Sequence, residues 1–105
     1  MRSFFTVRID EEALKEAQEL RNRDGAMSHK FINLVGQLEQ RGVRIPQTKK
    51  LIGTKNGWRL DFGRYRALFS LDENVITIWL IAMEKDTKKD YQRWMGYLLQ
   101  SGKIK

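Results

Sequence analysis

The chain holds no cysteine, one histidine and one proline among its 105 residues, and each scarcity removes a class of function. Without cysteine there is no disulfide framework and no thiolate chemistry, as expected of a cytoplasmic protein. A single histidine, His29, nearly excludes a histidine-based metal site and rules out a paired-histidine acid–base mechanism. No metal or other cofactor is therefore expected. No apolar run approaches the roughly 18–20 residues that cross a bilayer, so no membrane span is expected. The opening Met1-Arg2-Ser3-Phe4-Phe5-Thr6 has neither a sustained apolar stretch nor a small-residue cleavage site, so no secretory leader is expected either. Phosphate-binding glycine loops, zinc spacings, nucleophile elbows, internal repeats and low-complexity tracts are all missing.

What is present is apolar material and segregated charge. At 41% hydrophobic and 10% aromatic the chain can bury a core, and its length suits one domain over residues 1–105. Lys and Arg number 20 against 13 Asp and Glu, a formal charge of +7. That excess sits in residues 41–66, where Arg41, Arg44, Lys49, Lys50, Lys55, Arg59, Arg64 and Arg66 face one anion, Asp61. A local positive field of this kind attracts polyanions, nucleic acid first among them. A solvated basic loop, or a surface that meets an acidic protein, is the plainer alternative.

Periodicity supplies the elements. Phe5, Val7 and Ile9 alternate as in a half-buried strand, and Asp10 offers a cap to a helix carrying Glu11 and Glu12 in its first turn. Ala13, Leu14, Ala17 and Leu20 recur at helical spacing until Asp24-Gly25 ends the helix near Arg23. Ser28 is read as the cap of a second helix with the stripe Phe31, Ile32, Leu34, Val35 and Leu38, ending near Gly42. An irregular basic connection with Pro46 follows, then three strands over 57–62, 64–71 and 75–83 joined by short turns. A closing helix begins near Thr87 or Lys88 and carries Tyr91, Trp94, Met95 and Leu98 on one face. The expected fold is α+β, in the order β-α-α-β-β-β-α, with a helical hairpin covering one face of a four-stranded antiparallel sheet.

Alternation within the strands then sorts side chains by face. Trp58, Leu60 and Phe62 belong with Tyr65, Ala67, Phe69 and Leu71 against the helices. Arg59, Asp61, Arg64 and Arg66 are left on the open side, a plausible phosphate cradle because each guanidinium grips phosphate oxygens bidentately. The plainer reading is a solvated face in which Asp61 pairs with Arg66 or Arg64. His29 is expected at the surface, Tyr91 in a packing stripe, and Lys85, Lys88 and Lys89 in a solvated turn.

Three stretches carry a resemblance. Phe5-Thr6-Val7-Arg8-Ile9-Asp10-Glu11-Glu12-Ala13-Leu14-Lys15-Glu16, then Lys50-Leu51-Ile52-Gly53, then Trp58-Arg59-Leu60-Asp61-Phe62-Gly63-Arg64-Tyr65-Arg66-Ala67-Leu68-Phe69 resemble the RelE/ParE superfamily of toxin–antitoxin toxins. The resemblance implies a cognate antitoxin as partner and one of two targets. In the RelE branch the toxin cuts mRNA on the ribosome by attack of a ribose 2′-OH on the adjacent phosphate. In the ParE branch it poisons DNA gyrase. A catalytically degenerate basic binding module is the third possibility. By the same resemblance Arg66 would contact the scissile phosphate, with Arg59, Lys85 and Tyr91 completing the catalytic set. Asp61 stands where the RelE pattern often has a second basic residue. With Arg64 it is expected at the substrate, while Arg41, Arg44, Lys49, Lys50 and Lys55 would dock the ribosome's RNA.

Overall fold

The computed structural model describes residues 4–83 and 88–105, and their side chains except at 83 and 88–92. β1 (Thr6–Ile9) leads into α1 (Glu11–Arg23) and α2 (Gly25–Arg41). A 3-10 turn (Gly42–Arg44) precedes β2 (Thr48–Lys50), β3 (Gly57–Phe62), β4 (Tyr65–Asp72), β5 (Val75–Met83) and α3 (Lys88–Gln100). The fold is α+β as expected, but the sheet has five strands among the described residues, in the order β1-β5-β4-β3-β2. The additional strand is β2, which lies in the stretch read as an irregular connection and pairs antiparallel with β3. The sheet is also mixed. β1 runs parallel to β5, because the whole helical hairpin lies between β1 and the rest of the sheet and carries the chain back over it.

Local chemistry explains most boundaries. Asp10 stands at the N-terminus of α1 but makes no capping bond with its side chain; Glu11 and Glu12 in the first turn complement the helix dipole. The cap of α2 is Asp24, whose carboxylate accepts from Met27 N at 3.2 Å, and not Ser28, which lies buried within the helix. One residue therefore ends α1 and begins α2, which sets the tight hairpin. β3 and β4 meet in the two-residue turn Gly63-Arg64, where Gly63 adopts φ +60°. A β-carbon there would press on Met27 Sδ.

Two apolar cores flank the sheet. Ala13, Leu20, Phe31, Leu34 and Leu38 of the hairpin pack on Leu60, Phe62, Tyr65, Ala67, Phe69, Ile76 and Ile78, the face predicted from alternation. Within it the Phe62 ring lies 5.3 Å from Phe31 and 5.7 Å from Tyr65, centre to centre. The opposite face is not left open, as the sequence reading had it. α3 and the C-terminal segment cover its β4–β5 half through Leu51, Leu68, Leu80, Leu98 and Ile104, because β4 and β5 also present leucines to that side. A register shift between Leu68 and Phe69 resets the alternation of β5, so that Ile78 serves the first core and Leu80 the second. The C-terminal residues are held: Lys105 N donates to Asn56 Oδ1 at 2.8 Å, and Lys105 O accepts from Asn56 N at 3.2 Å.

Candidate functional site

What α3 does not cover is the charged part of that second face, on the β3–β4 hairpin. Antiparallel register puts Arg66 opposite Asp61, and period two puts Arg59 on the same side as Asp61. The three side chains meet. Arg66 Nε donates to Asp61 Oδ1 at 3.1 Å, and Arg59 Nε lies 3.5 Å from Asp61 Oδ2. The carboxylate thus bridges two guanidiniums, each about one-quarter exposed (24% and 25%), while it is itself 33% exposed. The longer contact lacks hydrogen-bond geometry. Arg59 Nε is shut from solvent and has no hydrogen-bond partner among the described residues, and the same holds for Gln47 Oε1. Gln47 adjoins β3 from the β2 side, where its backbone carbonyl accepts from Asp61 N at 2.8 Å.

Lys49 extends the cationic row. It pairs with Arg59 across the β2–β3 ladder, and the two line a cleft of about 260 Å3 with Lys50, Ile52 and Met95. Lys50 spends its ammonium on its own loop, donating to Thr54 O at 2.8 Å. Arg64 is displaced from its expected place: it occupies the exposed β3–β4 turn and not the strand, because a two-residue connection is the shortest that reverses the chain. Arg41, Arg44 and Lys55 are exposed, the first two around Gly42 at the end of α2. His29 is exposed on α2, as expected. Lys85 lies outside the described residues; Tyr91 belongs to α3, its side chain outside the described set.

A second polar feature went unread in the sequence. Glu16 of α1 reaches the β5 backbone beyond the end of β1 and accepts from Ile81 N at 3.0 Å. It lines a groove of about 290 Å3 with Glu12, Leu80, Ile81, Arg93, Trp94 and Tyr97. Burial there pushes its carboxyl up to about 7, with Glu12 and Glu19 adding repulsion and the Ile81 bond opposing. Its position between Ala13, Ala17 and Leu20 on the apolar stripe of α1 was the available signal.

No protein-family model matches the sequence, and no curated protein does. Solved structures do match. The RelE of a Pyrococcus horikoshii RelE–RelB complex superposes at a TM-score of 0.68, with 24% identity over 80% of this chain and 99% of that one. Staphylococcus aureus YoeB, solved as a dimer, gives 0.65 at 17% identity, covering 76% of this chain and 97% of that one. A YoeB/ParE toxin from Agrobacterium tumefaciens gives 0.64 at 11% identity, covering 75% and 98%. The chain has the RelE/ParE toxin fold. Within this RelE-like frame, the Arg59–Asp61–Arg66 set occupies the part of the sheet's second face that α3 leaves accessible.

Proposed function

We propose that this protein is the toxin of a toxin–antitoxin pair and acts in the cytoplasm as a ribosome-dependent mRNA endoribonuclease. The observation that carries this reading is the meeting of Arg59 and Arg66 on an accessible sheet face of a RelE-like fold. Cleavage proceeds by attack of a ribose 2′-OH on the adjacent phosphorus. The P–O5′ bond breaks, a 2′,3′-cyclic phosphate forms and the departing oxygen leaves as a 5′-OH. Negative charge builds on the phosphorane oxygens along this path. Two preplaced guanidiniums stabilise it more than they stabilise the singly charged ground state. In this reading Arg66 holds the scissile phosphate and Arg59 supplements it. Lys85 adds charge, and Tyr91 stacks on a base or assists proton transfer. Arg41, Arg44, Lys49, Lys55 and Arg64 bind surrounding RNA phosphates, while Lys50 keeps its ammonium on its own loop. The pairing of the neighbours with RelB and YefM antitoxins supports a cognate antitoxin for this chain.

Expression of the gene alone tests the proposal, with mRNA 5′ ends mapped on ribosomes and gyrase-linked DNA breaks measured in the same culture. New 5′-OH ends on ribosome-bound mRNA, reduced about a hundredfold by Arg66→Ala, are the expected result. DNA breaks with intact mRNA would replace the ribonuclease reading by gyrase poisoning, the reading favoured by the likeness to a toxin described as YoeB/ParE. Neither effect would leave a basic binding module.

A further inference from the structure

Two guanidiniums share one carboxylate on the accessible face, and they share it unequally. Asp61 hydrogen-bonds Arg66 through Oδ1 at 3.1 Å, whereas Oδ2 stands 3.5 Å from an Arg59 Nε that is closed to solvent and has no hydrogen-bond partner among the described residues. An anion that is to engage both Nε groups must therefore take the place of the carboxylate. Asp61 is free to give that place up. It is one-third exposed, at the turn end of β3, and rotation about its Cα–Cβ bond returns the carboxylate to water. Restoring hydration offsets part of what the carboxylate loses, because an ion pair that solvent reaches from one side is weaker than a buried one.

We propose that Asp61 is a resident counter-ion that RNA phosphate displaces, and that it holds down the affinity of the arginine pair for anions. The proposal rests on the phosphodiester reading above and deepens it by giving the third member of the cluster a role. With Asp61 in place the three groups carry +1, and Lys49 across the ladder adds one more charge. The +1 of the arginine–carboxylate set matches the single charge of an internal phosphodiester better than the +2 of the bare arginine pair would. A displaced carboxylate also remains near the bound phosphate and repels it. A unit charge about 4 Å away in hydrated surroundings is worth roughly fivefold in affinity.

Asp61→Asn tests this, since it keeps the shape and removes the charge. Binding of a fluorescent single-stranded 2′-O-methyl RNA, which cannot be cleaved, is measured for the full chain, Asp61→Asn and Arg66→Ala. Circular dichroism and thermal melting verify each fold. The expected result is about fivefold tighter binding by Asp61→Asn and weaker binding by Arg66→Ala. Equal or weaker binding by Asp61→Asn, while Arg66→Ala loses binding, overturns the counter-ion role and leaves the phosphodiester site standing. Equal binding by the unaltered chain and Arg66→Ala overturns the site, and the counter-ion with it. The unaltered chain gives an independent reading: saturation with the RNA must shift the Arg66 Nε–H resonance as its acceptor changes from carboxylate to phosphate. An unmoved resonance in the saturated complex also overturns the proposal.

Discussion

The two faces of the sheet are made by the same strands and obey different rules. On the hairpin side, β3 and β4 contribute Leu60, Phe62, Tyr65, Ala67 and Phe69 to a continuous apolar core. On the other side the same strands contribute Asp61 and Arg66 next to their shared turn, then Arg59 opposite Leu68, with Ser70 farther along. The first face is committed to stability. The second is divided: α3 and Ile104 close the half where leucines project, and the half with opposed charges stays in reach of solvent. Burying charge is costly whereas burying leucine is favourable, so α3 settles on the apolar half and the arginines stay partly exposed.

Four substitutions break or sharpen that contrast. Phe62→Ala opens a cavity under Phe31 and Tyr65 and is expected to cost about 3–5 kcal/mol of stability, measured by urea unfolding. Next, Ile104→Ala on the second face is expected to cost about 2–4 kcal/mol and to loosen the 51–57 loop that the C-terminal residues hold, read by amide exchange at Asn56. A loss as large as that at Phe62 would mean that α3 and its tail are as integral as the hairpin.

Glu16 lies between α1, β5 and α3, and its effect is smaller and tied to pH. Its carboxyl is held up near 7 in the folded chain against 4.5 when free, so the folded state binds the proton more tightly. Stability is then greatest below about pH 4.5 and declines as pH rises towards 7, by about 1 kcal/mol after allowance for its half-exposure. Glu16→Gln keeps an oxygen for Ile81 N and should flatten this decline in melts between pH 5 and 7. Last, Lys49→Ala on the charged half should leave stability within about 0.5 kcal/mol and weaken RNA binding a few-fold. The slope of log affinity against log salt should fall by about one in a salt titration.

Much of the fold was legible because period and punctuation were unambiguous. β3 and β5 carry the expected bounds, and the hairpin breaks at Asp24 where the Asp-Gly pair predicted it. β2 was not legible. Thr48-Lys49-Lys50 has no alternation of apolar and polar residues, and pairing with β3 alone makes it a strand. The side-by-side arginines of the site were legible for the same reason as β3: alternation assigns faces without knowledge of the partner strand. The Asp61–Arg66 pair was legible as one of two cross-strand alternatives, and the register of β3 on β4 selected it; the further contact of the same carboxylate with Arg59 was not legible.

The amino-acid order by itself determined the helical hairpin, the three long strands and the side of the sheet to which the residues of β3 and β4 turn, because these follow from backbone periods of 3.6 and 2. Tertiary structure decided the parallel docking of β1 on β5, the conversion of a basic connection into an edge strand and the coverage of only half the second face by α3. Those outcomes balance burial against desolvation between segments far apart in the chain, and no local window of sequence contains both sides of that balance.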